Sequence, residues 1–239
     1  MDRIRPHFGV LVIALLLLLV GTAFLDYTAT YFHPAFLAGL SSVLLAFALI
    51  TAVTNVSTRG AGWRVRVIQI LVGATVLSHI VSTQLDRPGL HVVPRILALL
   101  CFCYTITVVL GYLLRIKTVG ADAINAAICV FLLMGVSWAL WYGFVVSFEE
   151  HAFSVSRGEM RTAAGAGYLP IEMLYFSLVT LTTLGYGDVT PITTAARISA
   201  VLEATVGQIF MVVLVARLVG FQVSQTMPQA TPGRQDGSK

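Results

Sequence analysis

Thr180-Leu-Thr-Thr-Leu-Gly-Tyr-Gly-Asp-Val-Thr-Pro191 stands late in a chain that is otherwise strongly apolar. Two glycines flank a tyrosine, an aspartate follows, and a proline closes the stretch. Glycine and proline punctuate regular structure. Yet a short apolar run, Pro170–Thr182, leads into this stretch, and a long one, Ala195–Phe221, follows it.

The 239 residues are 57% hydrophobic and 11% charged, with a mean hydropathy of +0.88. A soluble domain of this size cannot hide so much apolar surface. The class is an all-α integral membrane protein. The net charge of +4 comes without a basic block or a basic aromatic face, which argues against nucleic acid as a partner. The sequence offers no nucleophile–base pair and no cluster of metal ligands, so neither an enzyme nor a cofactor is expected. Cys101, Cys103 and Cys129 all fall in apolar runs and read as small buried hydrophobes.

A helix needs about twenty apolar residues to cross a bilayer. Runs near Phe8–Leu25, Ala35–Val53, Val65–Leu85, Val92–Leu114, Ala123–Phe148 and Ala195–Phe221 meet that length. Pro170–Thr182 is too short to span and reads as re-entrant. The first run follows Arg3 and Arg5 in the manner of a signal peptide, but no small-residue cleavage site follows it, so an uncleaved helix is expected. Arg3, Arg5, Arg59, Arg64, Arg66, Arg115, Lys117, Arg234 and Lys239 fall on one side of the six crossings. Arg87, Arg157, Arg161 and Arg197 fall on the other. The positive-inside bias places both termini in the cytoplasm and the Gly-Tyr-Gly stretch on the outer side.

Irregular backbone at membrane depth survives only where it is buried in protein or lines a water-filled path. Glycines at alternate positions, Gly185 and Gly187, open backbone angles closed to other residues. A strand of that kind can turn successive carbonyls towards one axis. From Ala123 to Phe221 the chain resembles the potassium channel superfamily. The resemblance rests on Thr183-Leu184-Gly185-Tyr186-Gly187-Asp188, preceded by a short apolar helix and flanked by a spanning helix on each side.

The resemblance implies a ring of carbonyls that replaces the water shell of K+. Thr183, Leu184, Gly185 and Tyr186 would coordinate the ion, and Gly187 would end the filter. Asp188 would sit at the outer mouth. The Tyr186 ring would brace the filter against the pore helix, and Tyr175 would brace it through a bond to Asp188. The pattern departs from the family at Leu184, where valine is usual. It departs again at Phe176, where a tryptophan is common and no hydroxyl is present. Val179 stands where some members carry a buried glutamate. In the last run, Gly207 is read as a gating hinge or a close-packing point, and Glu203 as an intramembrane carboxylate bonded to the pore helix. Arg217 is read as reaching the cytoplasmic headgroups.

The fourth run carries only Arg95 before Arg115. Moving one charge through 100 mV is worth about 2.3 kcal/mol, and voltage sensors use three to four. Little or no voltage gating is expected. His151 reads as a solvated loop residue, His79 as a helix-packing one, and His33 and His91 carry no assigned role.

One filter strand cannot surround an ion, so a homotetramer follows. The expected organisation is a four-helix sensor-like bundle over residues 1–118, a pore domain over 119–222 and a disordered cytoplasmic tail over 223–239. Six transmembrane helices, a re-entrant pore helix and a filter loop make the fold. The expected function is passive, selective K+ conduction across the cell (inner) membrane, with K+ and lipids as partners. A non-selective cation channel and a non-conducting regulatory membrane protein are the alternatives.

Overall fold

A computed structural model describes residues 8–28, 62–85, 92–116, 120–149, 151–156 and 171–226, with Tyr31 and scattered positions from Leu40 to Thr51. Most of the expected crossing at Ala35–Val53, His33, His91 and residues 227–239 lie outside the described residues.

Among the described residues, six helices have bounds at both ends and are numbered in chain order. They are α1 (Phe8–Thr28), α2 (Gly62–Leu85), α3 (Val92–Arg115), α4 (Ala121–Phe148), α5 (Ile171–Leu181) and α6 (Thr194–Thr226). Among the described residues, four are long and apolar enough to cross a membrane: Phe8–Leu25, Val92–Arg115, Ala121–Phe148 and Thr194–Arg217. The expected third crossing, Val65–Leu85, falls within the 24-residue helix α2. The expected re-entrant run appears as the eleven-residue α5.

Local chemistry explains several helix ends. Asp122 in the first turn of α4 complements the positive end of that helix. Thr193 caps α6: its Oγ1 accepts a hydrogen bond from the Ala196 N–H at 3.4 Å. α6 is helical up to Thr226, the last described residue. Residues 223–226, expected in a disordered tail, therefore continue the inner helix.

α4 is the hub. It packs against α1, α3, α5 and α6, and 67% of its spanning window is buried, against 17% for α6. Phe8, Leu11, Leu15, Phe102, Val109, Cys129, Leu133 and Leu140 form the main core along α1, α3 and α4. A second core at the outer end joins Tyr142, Phe153, Met173, Phe176, Val189 and Ala196. Only residues 116–120 connect α3 to α4, so the two helices lie side by side within one chain.

The fold is not purely helical. β1 (Phe153–Val155) and β2 (Val189–Pro191) pair antiparallel, with Phe153 opposite Pro191 and Val155 opposite Val189. The Thr190-Pro191 step thus lies in a strand, with proline at its end, where a missing N–H is tolerated. This ribbon ties the loop after α4 to the segment after Asp188.

Candidate functional site

The site begins where α5 ends. Leu184 N–H donates to Val179 O at 2.9 Å, and Thr183 N–H donates to Thr180 O at 3.0 Å. These are the two crossed bonds of a Schellman C-cap, which requires a left-handed residue between them. Thr183 is that residue, with φ 59°. A left-handed conformation costs a β-branched residue on the order of 1–3 kcal/mol. Glycine would avoid this cost, so the strain at Thr183 is a specific feature of the site.

Gly185 (φ 58°) and Gly187 (φ 75°) repeat the left-handed angle. Among non-glycine residues described, only Thr183 has positive φ, so Leu184 and Tyr186 lie on the opposite side of φ. Positive and negative φ thus alternate over the five residues from Thr183 to Gly187. The side chains of Leu184 and Tyr186 are 55% and 66% exposed within the single chain. The negative end of the α5 dipole points into the same region.

The stretch after the glycines is fixed from two sides. Tyr175 Oη donates to Asp188 Oδ2 at 2.7 Å, and Val189 N–H donates to Asp188 Oδ1 at 3.0 Å. Ser156 N–H donates to Asp188 O at 2.8 Å. The Tyr175 hydroxyl, with help from backbone N–H groups, holds the Asp188 carboxyl below the usual carboxylate range. Farther on, Arg197 Nε donates to Pro191 O at 3.2 Å.

Behind this stretch, three helices meet in a buried polar node. Glu203 of α6 is 0% exposed. Its Oε2 accepts from Tyr142 Oη of α4 at 2.6 Å, and its Oε1 lies 2.5 Å from Ser177 Oγ of α5. Ser177 Oγ also lies 2.8 Å from Gly135 O of α4. Beside the node, Tyr142, Phe153 and Phe176 contact one another edge to face, with ring centroids 5.0–5.4 Å apart. Such pairs add about 0.5–1.5 kcal/mol each beyond burial. Phe176 lacks a hydroxyl, but its ring joins α5 to α4 and β1.

Close packing completes the frame. A Cβ on Gly135 would stand 2.8 Å from Leu178 Cδ2, and one on Gly207 would stand 2.7 Å from Leu181 Cδ1. Gly135 of α4 and Gly207 of α6 thus let the last two turns of α5 pack closely, and Leu181 approaches both. Gly207 is a packing point here, and α6 runs as helix through it. Trp141 Nε1 donates to Ser199 Oγ at 2.9 Å, a second tie between α4 and α6.

Several relations had no sequence signal. The partners of the two arginines were one: Arg95 Nη1 donates to Gly143 O at 3.2 Å and Ser147 Oγ at 2.7 Å, both on α4. Arg217 Nη2 donates to Leu114 O at 2.6 Å and Ile116 O at 3.2 Å. It therefore satisfies carbonyls at the end of α3. His151 is exposed in a turn and His79 is buried. Cys101 and Cys129 are buried and Cys103 is exposed; all three are free.

Residues 133–223, from mid-α4 through most of α6, match the family described as Ion channel. A two pore potassium channel c from Oryza sativa subsp. japonica is 36% identical over 64 residues, which is 27% of this chain and 14% of that protein. Two-pore potassium channel 4 from Arabidopsis thaliana is 35% identical over 54 residues, 23% of this chain and 19% of that protein. The chain thus matches less than a fifth of either relative's length. No solved structure matches. Residues 133–223 are thus similar to ion channels, and the long apolar helices are those of an integral membrane protein. Over this segment the chain is similar to the potassium channel superfamily.

Proposed function

We propose that the protein is a potassium-selective channel in which four copies surround one axis. The observation that carries this reading is the left-handed backbone at Thr183, Gly185 and Gly187, launched from the capped end of α5. Four such strands would present carbonyl oxygens of Thr183, Leu184, Gly185 and Tyr186 at the spacing that replaces a cation's water. Leu184 leaves this chemistry intact because the backbone is the ligand. Asp188, kept ionised by Tyr175, raises cation concentration at the outer mouth. The exposed Tyr186 and Leu184 side chains and the sparsely buried α6 support further copies as their neighbours.

Conduction is passive and single file, with no bond made or broken. Arg95 is bonded to α4, and one charge supplies at most about a quarter of the work of a voltage sensor; gating by voltage is weak or absent. The Lys/Arg distribution supports cytoplasmic termini in the cell membrane. An apolar cavity of about 590 Å³ between α3, α4 and α6 supports lipid chains as partners on that face.

The test is potassium flux into liposomes holding the purified protein, with sodium and barium as controls. Potassium-selective, barium-blocked flux that disappears in Gly185→Asp supports the reading. Equal sodium flux makes the pore non-selective. Absence of flux from folded tetramers across voltage, pH and lipid composition overturns conduction and leaves the regulatory alternative.

A further inference from the structure

Hydrogen-bond counting at the buried node bears on the charge of Glu203. Ser177 Oγ carries one proton and has two oxygen neighbours, Gly135 O at 2.8 Å and Glu203 Oε1 at 2.5 Å. A hydroxyl donates once. The Gly135 carbonyl has no proton to give, so that contact uses the serine proton. The shorter contact then needs its proton from the carboxyl. Tyr142 supplies its own proton to Oε2. Three contacts are satisfied by three protons only if Glu203 is a neutral acid. An ionised carboxylate satisfies two of them and leaves a full charge at a site with no exposure. Among the described residues, both side chains bonded to it are hydroxyls: Tyr142, the titratable group facing it from α4, and Ser177 from α5. Burying a carboxylate without a cation is strongly unfavourable.

The node's position gives this proton a task. Ser177 lies six residues before Thr183, on the helix whose cap sets the left-handed backbone. Glu203 lies one turn before Gly207, where α6 receives Leu181. The chain of bonds runs from α6 through α5 to α4. We propose that Glu203 is carried as the neutral acid and acts as a positioning residue, its carboxyl proton bolting the pore helix to the inner and outer helices. The positioning role rests on the potassium-channel reading; the protonation state does not.

Glutamine reproduces the neutral acid's pattern: its N–H₂ donates to Ser177 and its C=O accepts from Tyr142. Infrared difference spectra of the full-length protein in lipid, wild type minus Glu203→Gln, should show a protonated-carboxyl C=O stretch at neutral pH. Ser177→Ala should shift that band upwards, because the acid proton loses its acceptor. A purely packing role would produce neither signal. Carboxylate bands in place of the acid band overturn the proposal whether or not the protein conducts. In liposomes, Glu203→Gln should keep selective flux near wild type, while Glu203→Leu should lose it by about tenfold or more, the scale of a lost buried bond network. Equal flux in both variants overturns the positioning role. Should Glu203→Leu fail to fold, Tyr142→Phe provides the same comparison, and unchanged flux and selectivity there overturn the positioning role as well.

Discussion

Among the described residues, the serine and threonine hydroxyls of α1 to α3 bond within their own helix, with Arg95 of α3 the side chain that reaches α4. By contrast, α4 to α6 add bonds between elements to intrahelical ones such as those of Ser137 and Thr205. In α1 to α3, Thr22, Thr28, Thr75, Ser78, Ser82 and Thr105 bond carbonyls three or four residues back in their own helix. In α4 to α6, Tyr142, Trp141, Ser177, Tyr175 and Arg197 reach across to other elements, over 6 to 61 residues of sequence. Lipid is as apolar as leucine, so packed helices in a membrane gain little from burial alone. Self-satisfied hydroxyls leave helices free to slide, whereas bonds between helices fix their heights. The region matched by known ion channels is the fixed one. Precision is concentrated where a backbone must be held against its own preferences.

The largest effect should come from the strained backbone. Gly185→Ala places a Cβ at φ 58°, and left-handed backbone costs a non-glycine residue roughly 1–2 kcal/mol. Because relief of that strain turns the carbonyl away, potassium flux in liposomes should fall to background. Retained flux would break the contrast between the regions at its strongest point. Next is the packing of α5: Gly207→Val should lower stability by about 1–3 kcal/mol through contact with Leu181, and Gly207→Ala by less, since the Leu181 side chain can yield. Thermal unfolding in detergent reads both. A Gly207→Val protein as stable as wild type would show that α6 is not seated on α5.

Tyr175→Phe should have a smaller effect, confined to pH. The Tyr175 bond depresses the Asp188 pKa, so its contribution is present above the unfolded carboxylate pKa and lost as pH falls through the folded one. Without the hydroxyl, Asp188 takes its proton at a higher pH. Flux should therefore decline earlier on acidification than in wild type, and superimposable pH profiles would remove the bond's role. Smallest of all, Thr22→Val should change stability by under about 0.5 kcal/mol. Among the described residues, its hydroxyl bonds Leu18 O and Leu19 O, inside α1. A larger loss would mean that the bundle also depends on interhelical bonds.

The glycine spacing made the left-handed positions at 185 and 187 legible, because glycine advertises such angles. Thr183 adopts the same angle without any such mark; only the crossed bonds of the α5 cap reveal why. Long apolar runs revealed α1, α3, α4 and α6. The β1–β2 ribbon stayed invisible, since three-residue strands are too short to show a period of two. Glu203 announced itself as a carboxylate in an apolar helix, and the pore helix was a legible partner by proximity. Tyr142, 61 residues earlier, was not, because no local pattern encodes a contact at that separation. The same holds for Arg95 on α4 and Arg217 at the end of α3.

The short connection between α3 and α4 governs the order of assembly during synthesis. Six steps of chain, from Arg115 to Ala121, reach no farther than about 20 Å. As α4 leaves the ribosome, α3 already stands within that tether, and the two can close as a hairpin before α5 exists. α1 is also in place by then, ready to cover a second side of α4. α1, α3 and α4 thus form a platform, and α5 with the strained stretch after it is laid onto the remaining face as it emerges. Translation delivers the strained backbone after that platform, and α6, which follows it, closes the seat.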